Sequence, residues 1–361
     1  MEGVTQEERC HHGLLRPLPE NSSISGAKGK TWVSALICIT TDLGDSFLAQ
    51  DVDLIATLAV EHHSKVLHEK SLTWEAGNRQ LALSLGPFSS HVAQQKLILA
   101  IRPRESGKTQ LLSSDPLGAT STPLLFSGWS APFGPGDMPA EKLVERRLGL
   151  KDNPELRIWE ETGNSIARHI WDAALASVIY LHQTINGSEG IPSLRRLLVD
   201  ESPTPLQIVE LGAGCGIVGI ALAAMLPCCS VLLTDLPEAQ EIVTHNINVA
   251  RSAPMSTIDF RTLDWDEPPD LCGRPIDLIL VSDCTYNADS LPALVSVLDR
   301  LVRSSPDAII LVALKRRHDS EAIFFELMQS AGFDPLQATI ALPSQHDQVD
   351  QIELYCYSRA H

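Results

Sequence analysis

The stretch that decides the fold runs from Gln207 to Gly219 and reads QIVELGAGCGIVG. Its first residues, together with Leu206, form a short run that is apolar except at Glu210, as a fully buried parallel strand requires. Glycines then interrupt the run, and the apolar sequence IVGIALAAML over residues 217–226 predicts a helix directly after them. A strand, a glycine turn and a helix N-terminus in this order predict a nucleotide-binding unit.

Two glycine patterns overlap in this turn, and they predict different cofactors. Gly212, Gly214 and Gly216 give GxGxG, the turn of S-adenosylmethionine (SAM) enzymes. Gly214, Gly216 and Gly219 give GxGxxG, the dinucleotide fingerprint of NAD-linked oxidoreductases. Glu210 favours SAM, because a carboxylate at the end of the strand would repel a pyrophosphate and attract the cationic amino end of SAM. We therefore expect SAM as the cofactor.

The composition is that of an ordinary globular protein with room for two domains. The chain has 361 residues, of which 44% are hydrophobic and 20% are charged, and no apolar run is as long as a membrane span. The N-terminus MEGVTQEERCHHG lacks the apolar core of a signal peptide. The eight cysteines show neither zinc-ligand nor disulfide-framework spacing. We expect an intracellular protein with reduced thiols, in the cytoplasm, the nucleus or both, and without a metal site.

The net charge of −17 is divided unevenly between the two halves of the chain. Residues 1–155 carry a net charge of −3 and residues 156–361 a net charge of −14. The second half would repel a phosphate backbone, and its only basic cluster is the run Lys315, Arg316, Arg317. These charges argue against direct binding of nucleic acid and favour a basic protein substrate, although acidity that serves only solubility explains them equally well.

The sequence divides into four parts. Residues 1–30 are polar and aperiodic, and we expect them to be loosely ordered. Residues 31–104 predict a smaller β-rich region of three to five strands, and residues 105–155, rich in Ser, Thr, Gly and Pro, predict a linker. Residues 156–361 predict the catalytic domain, which begins with a helix starting near Asn164.

The catalytic domain reads as five β-α repeats followed by two strands with no helix between them. This order predicts an α/β fold with a doubly wound, mostly parallel sheet that ends in an antiparallel hairpin. Ligands of such sheets bind beyond the carboxyl ends of the strands, and Gly212, Asp235, Asp264 and Asp283 all fall there. An acid at the position of Asp235 can hydrogen-bond the hydroxyls of a ribose.

Several motifs together resemble the seven-β-strand (class I) SAM-dependent methyltransferases, of the lysine methyltransferase family 16 type, which includes protein-lysine methyltransferases acting on chaperones and translation factors. The motifs are HIWDAAL (169–175), VELGAGCGIVG (209–219), LLTD (232–235), LDW (263–265) and LVSDCTY (280–286). The resemblance covers about residues 157–358. It implies a Rossmann-like seven-stranded sheet with SAM lying against Trp171 and the turn from Glu210 to Gly216, with Asp235 on the ribose, Trp265 beside the adenine and Asp283 near the methionine end.

The same resemblance marks Asp283 and Tyr286 as the DxxY motif of the substrate pocket. A lysine ammonium must be held near the sulfonium methyl and lose a proton before it can attack in line. Asp283 offers a counter-charge for that cation, and Tyr286 offers a ring face or a hydroxyl to the same pocket. The expected activity is methyl transfer to a protein side-chain nitrogen, most plausibly that of lysine. The alternatives are a methyltransferase for a small amine or histidine, and a catalytically silent SAM-fold scaffold whose N-terminal region binds a partner.

Overall fold

The computed structural model describes residues 16–27, 30–61, 66–104, 125–135, 138–149, 155–162, 165–187, 190–200, 205–267, 275–317, 321–343 and 349–359. They form an N-terminal unit of antiparallel sheets and a C-terminal α/β unit. Within these ranges no helix is both long enough and apolar enough to cross a membrane.

The N-terminal unit contains nine strands in two sheets. They are β1 (Arg16–Ala27), β2 (Lys30–Thr40), β3 (Val52–Val60), β4 (Val66–Trp74), β5 (Leu81–Ser89), β6 (Leu97–Pro103), β7 (Gly128–Ser130), β8 (Leu143–Leu148) and β9 (Leu156–Glu161). One sheet has the order β1-β2-β5 and the other the order β4-β3-β6-β7-β8-β9, with antiparallel neighbours throughout. Alternate apolar residues of both sheets, such as Ile37 of β2 and Leu54 and Leu99 of the larger sheet, share one buried core.

The structure differs from the sequence prediction at both ends of this unit. Residues 16–27, predicted to be loosely ordered, form β1, which pairs with β2 along its length. The predicted linker contains β7 and β8, and the predicted catalytic domain begins with β9, yet all three strands belong to the six-stranded sheet. Residues 1–15, 28–29 and 105–124 lie outside the described residues. The segment predicted to start a helix near Asn164 instead makes one turn at Ile166–Arg168, and the helix begins at Asp172.

The C-terminal unit confirms the predicted doubly wound sheet. Its strands are β10 (Leu206–Leu211), β11 (Cys229–Asp235), β12 (Thr257–Thr262), β13 (Leu278–Ser282), β14 (Ile309–Lys315), β15 (Phe333–Pro343) and β16 (Val349–Arg359). Its helices are α1 (Asp172–Asn186), α2 (Pro192–Arg195), α3 (Ile217–Met225), α4 (Gln240–Val249), α5 (Leu291–Ser304) and α6 (Ala322–Ser330). The strand order is β12-β11-β10-β13-β14-β16-β15. β16 runs antiparallel to β14 and β15, and all other neighbouring strands are parallel.

Burial on both faces explains why the central strands carry so few polar residues. Every residue of β14 is buried, and in β10 only Gln207 is partly exposed. Helices α1 and α3 pack on one face with strand residues such as Ile208 and Leu280, whereas α5 and α6 pack on the other with Val281 and Val312. The strand ends, where helices no longer cover the sheet, are left open for a ligand.

A buried asparagine, Asn246, is one of the links between the two units. The side-chain oxygen of Asn246 in α4 accepts a hydrogen bond from the Trp159 N–H of β9 at 2.8 Å. Its amide nitrogen donates to the carbonyls of Trp159 and Cys215, each at 2.9 Å. Since Trp159 lies in the N-terminal sheet and Cys215 in the glycine turn, this side chain fixes the N-terminal unit directly behind the predicted cofactor site.

Candidate active site

A cavity of about 620 Å³ opens at the carboxyl ends of β10, β11 and β13. This volume lies within the range of small-molecule and cofactor sites. Among the sequence-predicted site residues, its walls include Trp171, Glu210, Gly212, Gly214, Asp235, Asp264, Trp265, Asp283 and Tyr286. The segment that connects the two units, including Ala167 and His169, closes one side.

The glycine turn between β10 and α3 requires glycine for two separate reasons. Gly212, Gly214 and Gly216 have φ angles of 66°, 55° and 77°, in the left-handed region that other residues adopt at a cost. Gly212 also faces the cavity, where a β-carbon would stand 2.5 Å from the Cys284 sulfur and 3.3 Å from the Trp265 ring. Gly216 lies outside the cavity wall, and a β-carbon there would meet the Leu233 side chain at 2.8 Å. Its role is therefore helix-sheet packing.

Asp235 at the end of β11 holds the glycine turn in shape. One of its carboxylate oxygens accepts the Gly214 N–H and the other accepts the Leu236 N–H, each at 2.7 Å. Burial raises the pKa of Asp235, and these two hydrogen bonds oppose the rise. The carboxylate lies in the cavity wall, where its remaining lone pairs can accept from ribose hydroxyls.

Glu210 is almost fully buried, and its carboxyl oxygen accepts the Gly219 N–H in the first turn of α3 at 2.8 Å. Burial raises the pKa of Glu210 to about 8, so the group is largely protonated at neutral pH when the cavity holds no cation. The sequence argument treated Glu210 as a full negative charge that attracts the SAM amino group. In this environment the carboxyl group ionises at neutral pH mainly when a cation lies close enough to stabilise the charge.

Two tryptophans, Trp171 and Trp265, lie in the cavity wall. Trp265 packs over Gly212, and the Asp264 carboxylate accepts the Asp266 N–H at 3.0 Å in the turn that presents Trp265. Trp171, just before α1, donates its ring N–H to the Ile166 carbonyl at 3.1 Å. Two half-buried ring faces therefore line the space above the glycine turn, as a bound adenine or thioether requires.

Asp283 and Tyr286 lie at the end of β13, but they differ in exposure. Asp283 is 6% exposed and adopts a left-handed φ of 58°, a conformation in which an aspartate is tolerated. Tyr286 is 54% exposed at the mouth of the cavity. A side chain entering from solvent would meet Tyr286 before it met Asp283.

The Asp283 carboxylate is already paired with a cation of this chain. Both of its oxygens accept from the two terminal nitrogens of Arg317, each at 2.7 Å. A second carboxylate, that of Asp42 after β2, accepts from the same Arg317 at 3.0 Å. Burial works against the charge of Arg317, but the hydrogen bond and charge of Asp283, with the charge of Asp42, outweigh it and raise the pKa of Arg317.

The sequence analysis did not identify Arg317 or Asp42 as site residues. Arg317 belongs to the run that it singled out as the only basic cluster of the second half. In the structure Lys315 is buried against Asp172, with 3.2 Å between nitrogen and oxygen, and Arg317 is buried against Asp283. The sequence did contain a signal for Arg317. The basic run stands at the carboxyl end of the apolar strand β14, at the same edge of the sheet as Asp235 and Asp283. No local signal marks Asp42.

The chemical groups in the cavity wall are those that SAM requires. A β-carbon on Gly212 would collide with the side chains of Cys284 and Trp265 beside it, so the cavity wall at residue 212 is bare backbone. A hydroxyl acceptor at Asp235 and a carboxyl group at Glu210 adjoin the glycine turn on either side. Among the described residues, no group of three His, Cys, Asp or Glu side chains is placed to hold a metal ion.

Comparison with known proteins places this site in a family. A family model described as lysine methyltransferase matches residues 150–331. A UPF0665 family protein of Schizosaccharomyces pombe is 29% identical over 302 residues, which cover 79% of this chain and 84% of that protein. Protein N-lysine methyltransferase METTL21A of Danio rerio is 31% identical, covering 52% of this chain and 75% of its own. EEF1A lysine methyltransferase 3 of Mus musculus is 30% identical, covering 48% and 68%.

Proposed function

The chain belongs to the lysine methyltransferase family and is a SAM-dependent methyltransferase, and we propose that it methylates a lysine side chain of a protein substrate at the cavity beside Gly212. The observation that carries the proposal is that the glycine turn, Asp235 and the rings of Trp171 and Trp265 line one cavity at the carboxyl ends of the strands. Bound SAM supplies an electrophilic methyl group on a sulfonium.

Different residues of the cavity bind different parts of SAM in this proposal. Gly212 and Gly214 provide the backbone floor, Asp235 the acceptor for ribose hydroxyls, and Trp171 and Trp265 the ring faces. Glu210 lies at the far side of the glycine turn, where its buried carboxyl group gains its charge as the SAM amino group arrives.

The acceptor lysine enters past Tyr286. Its half-exposed ring can cover the methylene groups of the incoming side chain and orient the amine towards the methyl group. The Asp283 carboxylate is not an isolated negative charge, since Arg317 donates a hydrogen bond to each of its oxygens. This pairing weakens the attraction for a protonated amine and favours the neutral amine, which is the form that attacks the methyl group.

The charge of the cavity mouth indicates the kind of substrate. The exposed carboxylates of Glu238, Asp264 and Asp266 adjoin it. The charges of the basic run are already paired within the protein: Lys315 with Asp172, Arg316 with Glu353 and Arg317 with Asp283. A lysine within a basic segment of a protein fits this rim, and a polyanion does not. We retain an intracellular location, cytoplasmic or nuclear, as part of the proposal, because the cysteine spacing is not that of a disulfide framework.

The proposal is tested by incubating the protein with labelled SAM and a cell lysate, with recombinant eEF1A, the acceptor named for the mouse relative, as the first purified substrate. We expect a labelled protein band, with the methyl group on lysine when the digested band is analysed by mass spectrometry. Label on histidine or on a small molecule would replace the proposal with one of the alternatives. Absence of label, together with normal SAM binding, would identify the protein as a silent scaffold.

A further inference from the structure

A turn of the N-terminal unit reaches into the methyltransferase unit beside its catalytic motif. It follows β2, where the Gly44 N–H donates to the Thr41 carbonyl at 3.1 Å and the Thr41 hydroxyl donates to the Asp45 carboxylate at 2.9 Å. Asp42 is the one acid of this turn that is buried, at 6% exposure, whereas Asp45 is exposed. These hydrogen bonds close the turn, and the carboxylate that the turn buries in the protein is that of Asp42.

The Asp42 carboxylate contacts residues of the other unit that are more than a hundred positions away in the chain. One oxygen accepts from Arg317 at 3.0 Å and from the N–H of Asp172, the first residue of α1, at 3.3 Å. Its other oxygen accepts the Leu43 N–H at 3.0 Å, which fixes the orientation of the group. A carboxylate at the N-terminus of α1 is also favourable for the helix dipole.

Arg317 carries this constraint to the walls of the cavity. Its fork binds both oxygens of Asp283, and its guanidinium lies 5.4 Å from the centre of the Trp171 ring. Asp283 and Trp171 both line the cavity. A bidentate pair fixes the plane of a carboxylate as well as its distance, so the orientation of Asp283 depends on where Arg317 is held.

We propose that Asp42 is a positioning residue for methyl transfer, which acts through Arg317 on Asp283 and Trp171 and makes the N-terminal unit part of the catalytic apparatus. The inference rests on the proposed function. It assigns to the N-terminal unit a share in holding Arg317, whose guanidinium is bound by a carboxylate of each unit, Asp42 and Asp283.

The expected effect falls on turnover more than on cofactor affinity. The floor of the SAM site is built from the glycine turn and Asp235, whereas Asp42 contacts Arg317 and the N-terminus of α1. The ring of Trp171 has its own anchor in the hydrogen bond to the Ile166 carbonyl. Asp283, by contrast, lies beside the entrance that Tyr286 forms for the acceptor lysine in the proposed function. Small displacements of groups that align reacting atoms are costly, and a shift of about 1 Å can reduce the rate about a hundredfold.

The test compares Asp42→Asn, Asp42→Glu and Arg317→Lys with the parent protein, and uses Asp45→Asn as the matched control in the same turn. Methyl transfer is measured with labelled SAM and the lysate protein that the parent labels, SAM affinity by calorimetry, and exchange of the backbone amides of residues 283–287 by hydrogen-exchange mass spectrometry. We expect Asp42→Asn to lower kcat about ten- to a hundredfold, to leave SAM affinity within about twofold, and to speed exchange at residues 283–287. Asp42→Glu should recover part of the loss, and Asp45→Asn should match the parent.

The effects of Asp42→Asn and Arg317→Lys should not add, because both act on Asp283 through one guanidinium. The proposal is overturned if Asp42→Asn leaves kcat and the exchange at residues 283–287 unchanged, or if it lowers kcat, SAM affinity and thermal stability in parallel, as general unfolding would. If the parent itself labels no protein, the proposed function fails. The exchange measurement still decides this inference, since unchanged exchange contradicts it and faster exchange confined to Asp42→Asn supports it.

Discussion

Gly212 and Cys284 approach each other so closely that a β-carbon on residue 212 would stand 2.5 Å from the Cys284 sulfur. We therefore expect Gly212→Ala to lower SAM affinity at least tenfold, since a clash adds to left-handed strain of order 1 kcal/mol. Calorimetry with SAM measures the loss. Gly332→Ala is the matched control, because Gly332 has a φ of 81° with open space around it. If Gly212→Ala and Gly332→Ala bind SAM equally well, the floor of the cofactor site lies elsewhere.

Tyr286 separates the contribution of a ring from that of a hydroxyl. Its half-exposed position predicts that Tyr286→Phe and Tyr286→Ala both fold and bind SAM as the parent does. We expect Tyr286→Ala to lower kcat/KM for the protein substrate by at least tenfold through loss of orientation, and Tyr286→Phe to show whether the ring face suffices. Steady-state rates with labelled SAM decide this. Parental rates in Tyr286→Ala would remove the residue from the substrate pocket.

Asp283 supports both catalysis and the fold. We expect Asp283→Ala to lower kcat by about two to three orders of magnitude, since it removes the group that orders the acceptor side of the cavity. Because it also leaves Arg317 without its bidentate partner, we expect a loss of about 3 kcal/mol in the free energy of unfolding. Turnover and urea denaturation are measured together. Asp289→Ala, an exposed acid six residues further on, should change neither quantity.

Glu210 predicts a specific pH dependence of stability. Burial raises its folded-state pKa from 4.5 to about 8, so the folded protein binds a proton that the unfolded chain releases between these values. The contribution of this proton to stability is full below about pH 4.5, falls as the pH rises, and is lost above about pH 8. Glu210→Gln keeps the acceptor for the Gly219 N–H and cannot ionise. Its stability relative to the parent should therefore rise from pH 5 to pH 8 in chemical denaturation, and a constant difference would contradict the raised pKa.

Asn246 tests whether the two units unfold together. Its side chain makes three buried hydrogen bonds to the backbones of Trp159 and Cys215, so Asn246→Ala leaves buried polar groups unsatisfied. We expect a loss of about 2 to 4 kcal/mol in the free energy of unfolding, and an earlier transition of the N-terminal unit. Denaturation is followed by circular dichroism. Thr244→Ala, at an exposed position of the same helix, is the control and should remain within about 0.5 kcal/mol.

The parts of the fold that sequence predicted are those whose signal is local. The strand before Gly212 is mostly apolar, the turn carries its glycines at fixed spacing, and the helix follows at once, so one window of sequence holds the whole unit. Asp235 and Asp283 were predicted by the same rule, which looks for polar residues after apolar strands. The doubly wound, mostly parallel sheet with its C-terminal hairpin follows from repetition of this pattern, and the structure confirms it.

The parts that sequence missed depend on pairing between distant residues. The sequences of β8 and β9 contain acids and bases where a buried strand should be apolar, which hid their alternation. In the structure Arg146 and Glu160 are buried as an ion pair with 2.6 Å between nitrogen and oxygen. Asp42 and Arg317 are 275 residues apart, and nothing near Asp42 in the chain distinguishes it from other turn aspartates.

The strand β9 also determines where this chain can be truncated. The family match begins at residue 150, between β8 and β9, and a truncated chain that started there would keep β9 and lose the neighbour that hydrogen-bonds along its length. Glu160 would lose Arg146, and β9 would become an open edge that invites pairing with other chains. A minimal enzyme cut at the family boundary is therefore expected to aggregate. The smallest unit that can be expressed and engineered intact includes the N-terminal sheets.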